Sequence, residues 1–213
     1  GIIGVGEATL AHIKQIMSTI GIDEGDFMRC CDGTFKSAIR FDGFREKGET
    51  WWHPFSQLSH VNNYAMVHLW LEARRAGYQG SYADAVAQDP EMCRRFLAPK
   101  TADHKPYDGL VNYAYHIDTI KLGRYLRDLG KQRGVRHITD LVTDTAFDES
   151  GNITAVSTQE NGDIAGDLFI DCTGFRSLLL GKALGEPFRS FNDALFNDNA
   201  VANETCGMRP QNP

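Results

Sequence analysis

Hydrophobic positions near the start of the chain follow the spacing of alternating strands and helices. An apolar run at residues 2–5 predicts the end of a buried strand, and the glycines around it predict a tight turn. Residues 26–31 are typical of a short helix, and residues 35–41 alternate with period two, which predicts a strand with Lys36 opposite Phe35. Residues 8–20 carry the spacing of a helix whose apolar face is formed by Leu10, Ile13, Ile16, Met17 and Ile20.

The middle of the chain, residues 43–110, has a different pattern. An aromatic cluster at residues 51–55 precedes a predicted helix at 63–75, a shorter helix from Tyr82 and a polar connection at 99–109. This pattern predicts an inserted, mostly helical lobe between a first segment, residues 1–42, and a third segment, residues 111–213.

In the third segment the alternation of strands and helices returns. Asp118 has the position of a helix N-cap between a strand at residues 112–116 and a helix ending at Gln132. A Gly-Asn pair at residues 151 and 152 predicts a hairpin turn. Further short strands are predicted near residue 135 and at 141–147, 153–157 and 168–171. The chain therefore predicts a layered α/β domain with an antiparallel accessory sheet.

Composition favours a folded protein that acts on small molecules. The hydrophobic fraction is 42%, and the net charge of -6 gives no general attraction to nucleic acid or to anionic membrane surfaces. Five cysteines without a C-x-x-C pair indicate neither a disulfide framework nor a metal site. No apolar run suits a transmembrane helix or a signal peptide, so the cytoplasm is the expected location.

Lys36 is the first candidate for chemistry, because its neighbours along the strand are apolar. One interpretation is a lysine at a sheet edge whose ammonium reaches solvent. The other is a partly desolvated amine with a lowered pKa, which serves as a nucleophile or as a hydrogen-bond donor to an electrophile.

Three other segments each have a structural and a functional interpretation. GVGEAT at residues 4–9 fits a plain strand-to-helix turn, or backbone that approaches a flat ligand next to a helix N-terminus. WWHPF at residues 51–55 fits a core plug or an aromatic binding surface. DLFIDCTGFR at residues 167–176 fits a plain turn, or the end of a buried strand where flavoproteins meet their cofactor. His116 and the other remaining histidines show no ligand spacing, so we interpret them as surface or satisfied core residues.

Taken in order, these segments resemble the flavin-dependent tryptophan halogenases. The matching segments are GVGEAT at residues 4–9, TFKSAIRF at 34–41 and DLFIDCTGFR at 167–176, supported by YHID at 115–118 and RGV at 133–135. The resemblance runs from Gly1 to about Asn203. It implies an FAD-binding domain of the flavin-monooxygenase type with an inserted helical substrate lobe.

The resemblance also implies a reaction, partners and residue roles. The family halogenates tryptophan or a related indole with FADH2, O2 and chloride or bromide, and a separate flavin reductase supplies the reduced flavin. Lys36 matches the lysine that receives hypohalous acid made at the flavin and delivers the halogen to the ring. His53 and Phe55 match the rings that sandwich the indole. The cofactor-binding positions implied by the resemblance are Gly6, Glu7, Ala8, Thr9, Val142, Asp171 and Gly174.

Some family landmarks have no match in these 213 residues. They are the G-x-G-x-x-G fingerprint on the first strand, a W-x-W-x-I-P motif and a later catalytic glutamate. The chain starts without methionine inside an apolar run, so we expect a fragment that is weak or inactive alone. Exposed sheet edges would then favour self-association, with a homodimer as one outcome.

Two alternatives to a halogenase stay open from the sequence. A related flavin-dependent monooxygenase would hydroxylate an aromatic substrate and have no use for Lys36. A non-catalytic binding module would keep the scaffold without binding flavin.

Overall fold

The computed structural model of the chain describes residues 7–56, 60–62 and 64–196, without the side chains of residues 7, 60 and 61. The chain divides into two compact units, one made of Gly1–Arg133 with Ala202–Pro213 and the other of Gly134–Val201. The strand predicted at residues 2–5 lies outside the described residues. The domain boundaries expected after residues 42 and 110 stay a prediction.

The first unit contains most of the regular structure. In chain order its elements are β1 (Glu7–Ala8), α1 (Ile13–Thr19), α2 (Glu24–Cys30), β2 (Thr34–Lys36), β3 (Ala38–Asp42), β4 (Thr50–Pro54), β5 (His60–Val61), β6 (Tyr64–Ala65), α3 (Met66–Arg75), α4 (Tyr82–Val86), α5 (Asp89–Arg94), β7 (Ala114–Ile117) and α6 (Thr119–Gln132).

Strands β1, β7 and β2 form an antiparallel sheet in the order β1-β7-β2. One face of this sheet packs against the core of the unit, and the other face carries Lys36. Phe35 pairs with Tyr115, and Lys36 pairs with Ala114. Because successive side chains of a strand point to opposite faces, Phe35 and Tyr115 share one face and Lys36 lies on the other. The expectation that Lys36 lies opposite Phe35 is confirmed.

The core lies on the Phe35 face of the sheet. The ring of Phe27, from α2, meets Tyr115 edge to face at a centroid distance of 5.1 Å. Asp118 caps α6 as predicted, since its side chain accepts a hydrogen bond from the amide of Lys121. The buried residues of this cluster are Met17, Ile22, Phe27, Cys31, Tyr113, Tyr115 and Ile117.

The helix predicted at residues 8–20 begins only at Ile13. The sheet takes the preceding residues instead: Ala8 pairs with His116, and the amide of Thr9 donates to the carbonyl of Tyr115 at 2.9 Å. Tertiary pairing therefore overrides the local helical spacing. Of the apolar face predicted for this helix only Met17 is buried, whereas three residues are exposed, namely Leu10, Ile16 and Ile20.

The strand predicted at residues 35–41 is two strands that belong to different sheets. β2 pairs with β7, but β3 pairs with β4, and Ser37 separates them. The alternation of side chains in the sequence continues across Ser37. The hydrophobic pattern therefore does not show where one strand ends and the next begins. The helix predicted at 63–75 begins at Met66, and the hydrophobic pattern does not predict strands β4 to β6 or helix α5.

The second unit contains an antiparallel meander, of which the sequence predicts the first two strands but not the third. Its strands are β8 (Val142–Phe147), β9 (Ile153–Thr158) and β10 (Gly162–Ala165), in the order β10-β9-β8. Gly151 occupies the turn between β8 and β9 with a φ of +82°, a conformation that favours glycine.

Two strands predicted in this unit are wrong. No strand forms near residue 135, and residues 168–171 are irregular, with Leu168 80% exposed and Ile170 79% exposed. An apolar run predicts burial, but a strand also needs a neighbour to accept its hydrogen bonds. Among the described residues of this unit, no strand pairs with 168–171.

Candidate functional site

Lys36 is a buried amine at the end of β2. Only 8% of the surface of Lys36 is exposed to solvent. The ammonium donates to the carbonyl oxygens of Thr9 at 3.3 Å and Ala8 at 3.4 Å. It also lies 5.1 Å from the centre of the Phe55 ring, within the range of a cation–π contact. The interpretation of Lys36 as a solvent-reaching edge residue therefore does not describe this geometry.

Hydrogen bonds to Tyr115 fix the two carbonyl groups that face Lys36. The Thr9 hydroxyl donates to the carbonyl of Tyr115 at 3.1 Å, and the amide of Tyr115 donates to the same hydroxyl oxygen at 3.0 Å. With the backbone bond between these residues, Thr9 behaves as an extension of β1. Ala8, the last residue of β1, and Thr9 are thus held at the edge of the sheet, and their carbonyl groups accept from the Lys36 ammonium.

His116 belongs to the surroundings of Lys36, although the sequence indicated no role for it. It lies opposite Ala8 on one side and Thr34 on the other, on the face of the sheet that carries Lys36. Partial desolvation lowers the pKa of His116, and the positive charge of Lys36 lowers it further. The imidazole is therefore neutral at pH 7 and is able to accept a proton or a hydrogen bond. Only the pairing of β7 with β2 reveals this, because it joins residues far apart in sequence.

His53 and Phe55 lie together at the end of β4, but they form no slot between them. Their ring centroids are 6.3 Å apart with the planes at 74°, an edge-to-face contact. A ring sandwiched between two others needs parallel planes about 7 Å apart, twice the contact distance of carbon atoms. An indole would therefore stack on the outer face of one of these rings.

His53 also lines an apolar cavity of about 430 Å³. Its walls include Trp51, Trp52, Pro54 and Tyr82, so the cavity lies between β4 and α4. This volume is within the range of small-molecule sites. Lys36 and Phe55 are not among the residues that line it.

The described flavin candidates of the first unit lie in edge strand β1 and directly after it, rather than at the start of a helix. Gly6 lies outside the described residues. The backbone of Glu7 pairs with Ile117, Ala8 is exposed, and Thr9 is half-buried. The prediction of a helix N-terminus directly after these residues is wrong, because α1 starts only at Ile13 and has seven residues.

The candidate cofactor residues Asp171 and Gly174 close a loop in the second unit. The Asp171 carboxylate accepts hydrogen bonds from the hydroxyl of Thr173 at 2.6 Å and from the amide of Leu179 at 2.9 Å. These bonds, with the Thr173 hydroxyl contributing most, lower the pKa of Asp171 to about 2. Gly174 has a φ of +65°, which an L side chain rarely adopts. The segment is not the end of a buried strand, so that expectation is wrong.

Val142, the remaining candidate, lines a cavity of about 440 Å³ in the second unit. Leu178 and Leu179 contribute apolar surface, Arg176 and Lys182 contribute positive charge, and Asp144 contributes one carboxylate. Apolar walls suit a flat heterocycle, and guanidinium and ammonium groups suit phosphate. The donor set around Val142 therefore fits the adenosine diphosphate part of a dinucleotide.

Two negative findings apply to the residues that the structure describes. Within these ranges no three His, Cys, Asp or Glu side chains are arranged to hold a metal ion. No helix in the described ranges has the length and apolarity to cross a membrane.

Comparisons with known proteins identify the family. The tryptophan halogenase family model matches residues 1–213. Tryptophan 6-halogenase of Streptomyces toxytricini is 36% identical over 220 residues, which cover 95% of this chain and 42% of the relative. The crystal structure of a tryptophan halogenase from Shewanella frigidimarina matches with 38% identity and a TM-score of 0.82, covering 92% of this chain and 38% of that one.

A further solved structure is a tryptophan C-6 flavin-dependent halogenase, a chlorinase from taromycin biosynthesis. It matches with 40% identity and a TM-score of 0.83, covering 91% of this chain and 40% of that one. The fold is thus that of the flavin-dependent halogenases, which confirms the predicted α/β class. The chain belongs to the tryptophan halogenase family. It spans less than half the length of these relatives.

Proposed function

We propose that the whole protein halogenates tryptophan or a related indole with FADH2, O2 and chloride or bromide, and that Lys36 relays the halogen. The observation that carries this proposal is the buried ammonium of Lys36, held between two backbone carbonyls and the ring of Phe55. The names of the relatives, which include tryptophan 6- and 7-halogenases, support the reaction and the substrate class. A separate reductase would supply the reduced flavin.

FAD fits the residues available for it. A bound reduced flavin supplies the oxygen activation that converts halide into hypohalous acid. Glu7, Ala8 and Thr9, at the edge of the sheet, would lie beside the ring system, and Gly6 is expected there from its place in the sequence. The cavity around Val142 would hold the adenine, with Arg176 and Lys182 near the phosphates. Asp171 and Gly174 would shape the loop that precedes Arg176.

Lys36 would hold the hypohalous acid close to the substrate ring. Its bonds to Thr9 and Ala8, at 3.3 and 3.4 Å, are longer than the usual range and exchange readily for a bond to an incoming acceptor. Either the ammonium donates to the hypohalous acid, or the neutral amine forms a nitrogen–halogen bond and releases water. The halogen then passes to a ring carbon. The proton that this carbon loses as the ring becomes aromatic again ends on the hydroxide left by the hypohalous acid, which forms water, or on the amine nitrogen of Lys36.

Phe55 and His53 would bind the indole through the outer faces of their rings. The Phe55 ring already contacts the ammonium, so an indole on this surface stays close to the halogen that Lys36 holds. Holding the ring at one distance and angle selects the carbon that reacts.

Replacement of Lys36 tests this function. In the whole protein, supplied with a flavin reductase, tryptophan and chloride, Lys36→Ala should lower the yield of halogenated product by about a hundredfold or more. Oxidation of FADH2 should continue, because the substitution leaves the backbone of Ala8 and Thr9 paired with β7. Product is measured by mass spectrometry and flavin oxidation by absorbance.

Lys131→Ala is the matched control, since Lys131 is an exposed lysine in the last turn of α6. This variant should halogenate like the unchanged protein. Halogenation that survives in Lys36→Ala would exclude the relay. A hydroxylated product in place of a halogenated one would favour a monooxygenase.

A further inference from the structure

Asp89 is a fully buried carboxylate at the start of α5, and the reaction described above assigns it no role. Its oxygen Oδ1 accepts three hydrogen bonds from two consecutive residues. The donors are the hydroxyl of Ser56 at 2.9 Å, the amide of Ser56 at 3.2 Å and the amide of Phe55 at 3.3 Å. The carboxylate therefore fixes the backbone that carries the Phe55 ring.

The same junction includes the strand residue that follows Lys36. The amide of Phe55 donates to the carbonyl of Ser37 at 3.1 Å, as well as to Asp89. Ser37 is buried, and α5 packs against β3, which begins at the next residue, as well as against β4. Helix α5 thus holds both segments that meet at the site, the one with Lys36 and the one with Phe55.

Asp89 does not cap its own helix. The N-cap residue of α5 is Gln88, which makes no side-chain capping bond. Oxygen Oδ2 of Asp89 is buried without a hydrogen-bond donor among the described residues. Burying a carboxylate is costly unless hydrogen bonds compensate, and here all of the compensation described comes from Phe55 and Ser56.

We propose that Asp89 is a positioning residue for halogen transfer: through Oδ1 it holds the Phe55 ring against the ammonium of Lys36. The proposal rests on the proposed function of Lys36 and Phe55. It requires an acceptor at Oδ1 and does not require the negative charge. Asp89→Asn keeps an acceptor at the position of Oδ1 and replaces Oδ2, which accepts no hydrogen bond among the described residues, with an amide nitrogen. This variant therefore removes the charge and keeps the acceptor.

The experiment observes Phe55 directly. A fluorinated phenylalanine, incorporated only at position 55 of the whole protein, reports ring position by fluorine NMR. Asp89→Ala should shift and broaden this resonance, and Asp89→Asn should leave it close to that of the unchanged protein. The yield of halogenated product per FADH2 oxidised should fall about tenfold to a hundredfold in Asp89→Ala and recover in Asp89→Asn, since small displacements of reacting groups are costly.

Met17→Ala is the control for general destabilisation, because it removes a core side chain away from α5. Its Phe55 resonance and product yield per flavin should match the unchanged protein. A resonance that Asp89→Ala leaves in place, or that Met17→Ala moves as far, would overturn the proposal. So would an Asp89→Asn variant as impaired as Asp89→Ala.

Two further outcomes can be distinguished: a variant that does not fold, and an unchanged protein that makes no halogenated product. If Asp89→Ala does not fold, Ser56→Ala removes the shortest of the three bonds, and an unchanged Phe55 resonance in that variant would overturn the proposal. If the resonance responds as expected but the unchanged protein makes no halogenated product, the proposed function fails while the link between Asp89 and Phe55 stands.

Discussion

At the scale of single residues, Glu24 is a buried carboxylate in the core, and each of its two oxygens accepts two hydrogen bonds. Its Oε1 accepts hydrogen bonds from the hydroxyls of Tyr113 at 2.6 Å and Tyr115 at 2.7 Å. Its Oε2 accepts from the ammonium of Lys100 at 2.6 Å and the amide of Tyr107 at 2.7 Å. Such a network stabilises one arrangement of its members, because any lost partner leaves another group unsatisfied. It lies beneath the sheet that carries Lys36.

Removing the Glu24 carboxylate should therefore be strongly destabilising. Glu24→Ala removes the shared acceptor of two tyrosine hydroxyls and separates the buried Lys100 ammonium from its carboxylate, so we expect a loss of about 3–5 kcal/mol in the free energy of unfolding. Urea denaturation followed by circular dichroism measures it. Glu46→Ala, at an exposed position, should change stability by less than about 0.5 kcal/mol. Equal effects in both variants would contradict the importance of the network.

The same network predicts a dependence of stability on acid pH. Burial raises the pKa of Glu24, but the bonds from Lys100, Tyr113, Tyr115 and Tyr107 outweigh it, so the pKa is lower in the folded chain. A lowered carboxyl pKa contributes stability that is present above its ordinary value of 4.5 and is lost as pH falls through the folded value. Urea midpoints measured downward from pH 5 should fall, and the fall should be smaller in Glu24→Gln.

At the scale of elements, α6 depends on a cap that the sequence already indicates. The side chain of Asp118 accepts from the amide of Lys121 at 2.9 Å, which satisfies one of the free amides of the first turn. Asp118→Ala should cost about 1 kcal/mol of unfolding free energy, whereas Asp118→Asn should cost only a few tenths, about 0.3 kcal/mol. Thermal or urea unfolding distinguishes them. Two variants of equal stability would show that the cap contributes nothing.

The elements that the sequence predicts well are those stabilised by their own residues. Helix α6 and the β8–β9 hairpin have local caps and turns, so residues close in sequence determine them. Strands β1 and β2 depend on β7, more than seventy residues further along the chain. Their local spacing therefore favours a helix at residues 8–20 and one continuous strand at 35–41, and both predictions are wrong in extent.

At the scale of the whole molecule, the second unit exposes several large apolar side chains. Leu168 and Ile170 are about four-fifths exposed, and Phe175 is 95% exposed. Three large apolar side chains exposed within residues 168–175 favour a contact site or a tendency to aggregate. The 213-residue chain should therefore self-associate at micromolar concentration, and the double variant Leu168→Ser with Ile170→Ser should reduce it. Sedimentation velocity measures this. Leu10→Ser, an exposed position in the first unit, should leave association unchanged.

The sequence by itself determined the family, the α/β class and the identity of Lys36, His53 and Phe55 as candidates. The α/β class follows from local spacing, which reflects the residues that a strand or helix must bury. The family, and the roles expected of these three residues, follow from the resemblance of short segments to the tryptophan halogenases. Only the tertiary structure brought Thr9, Lys36 and Phe55 together. Sheet pairing and hydrogen bonds between distant segments decide which buried faces meet, and no local pattern encodes them. The bonds of Asp89 to Phe55 and Ser56, and the place of His116 beside Lys36, emerge only at that level.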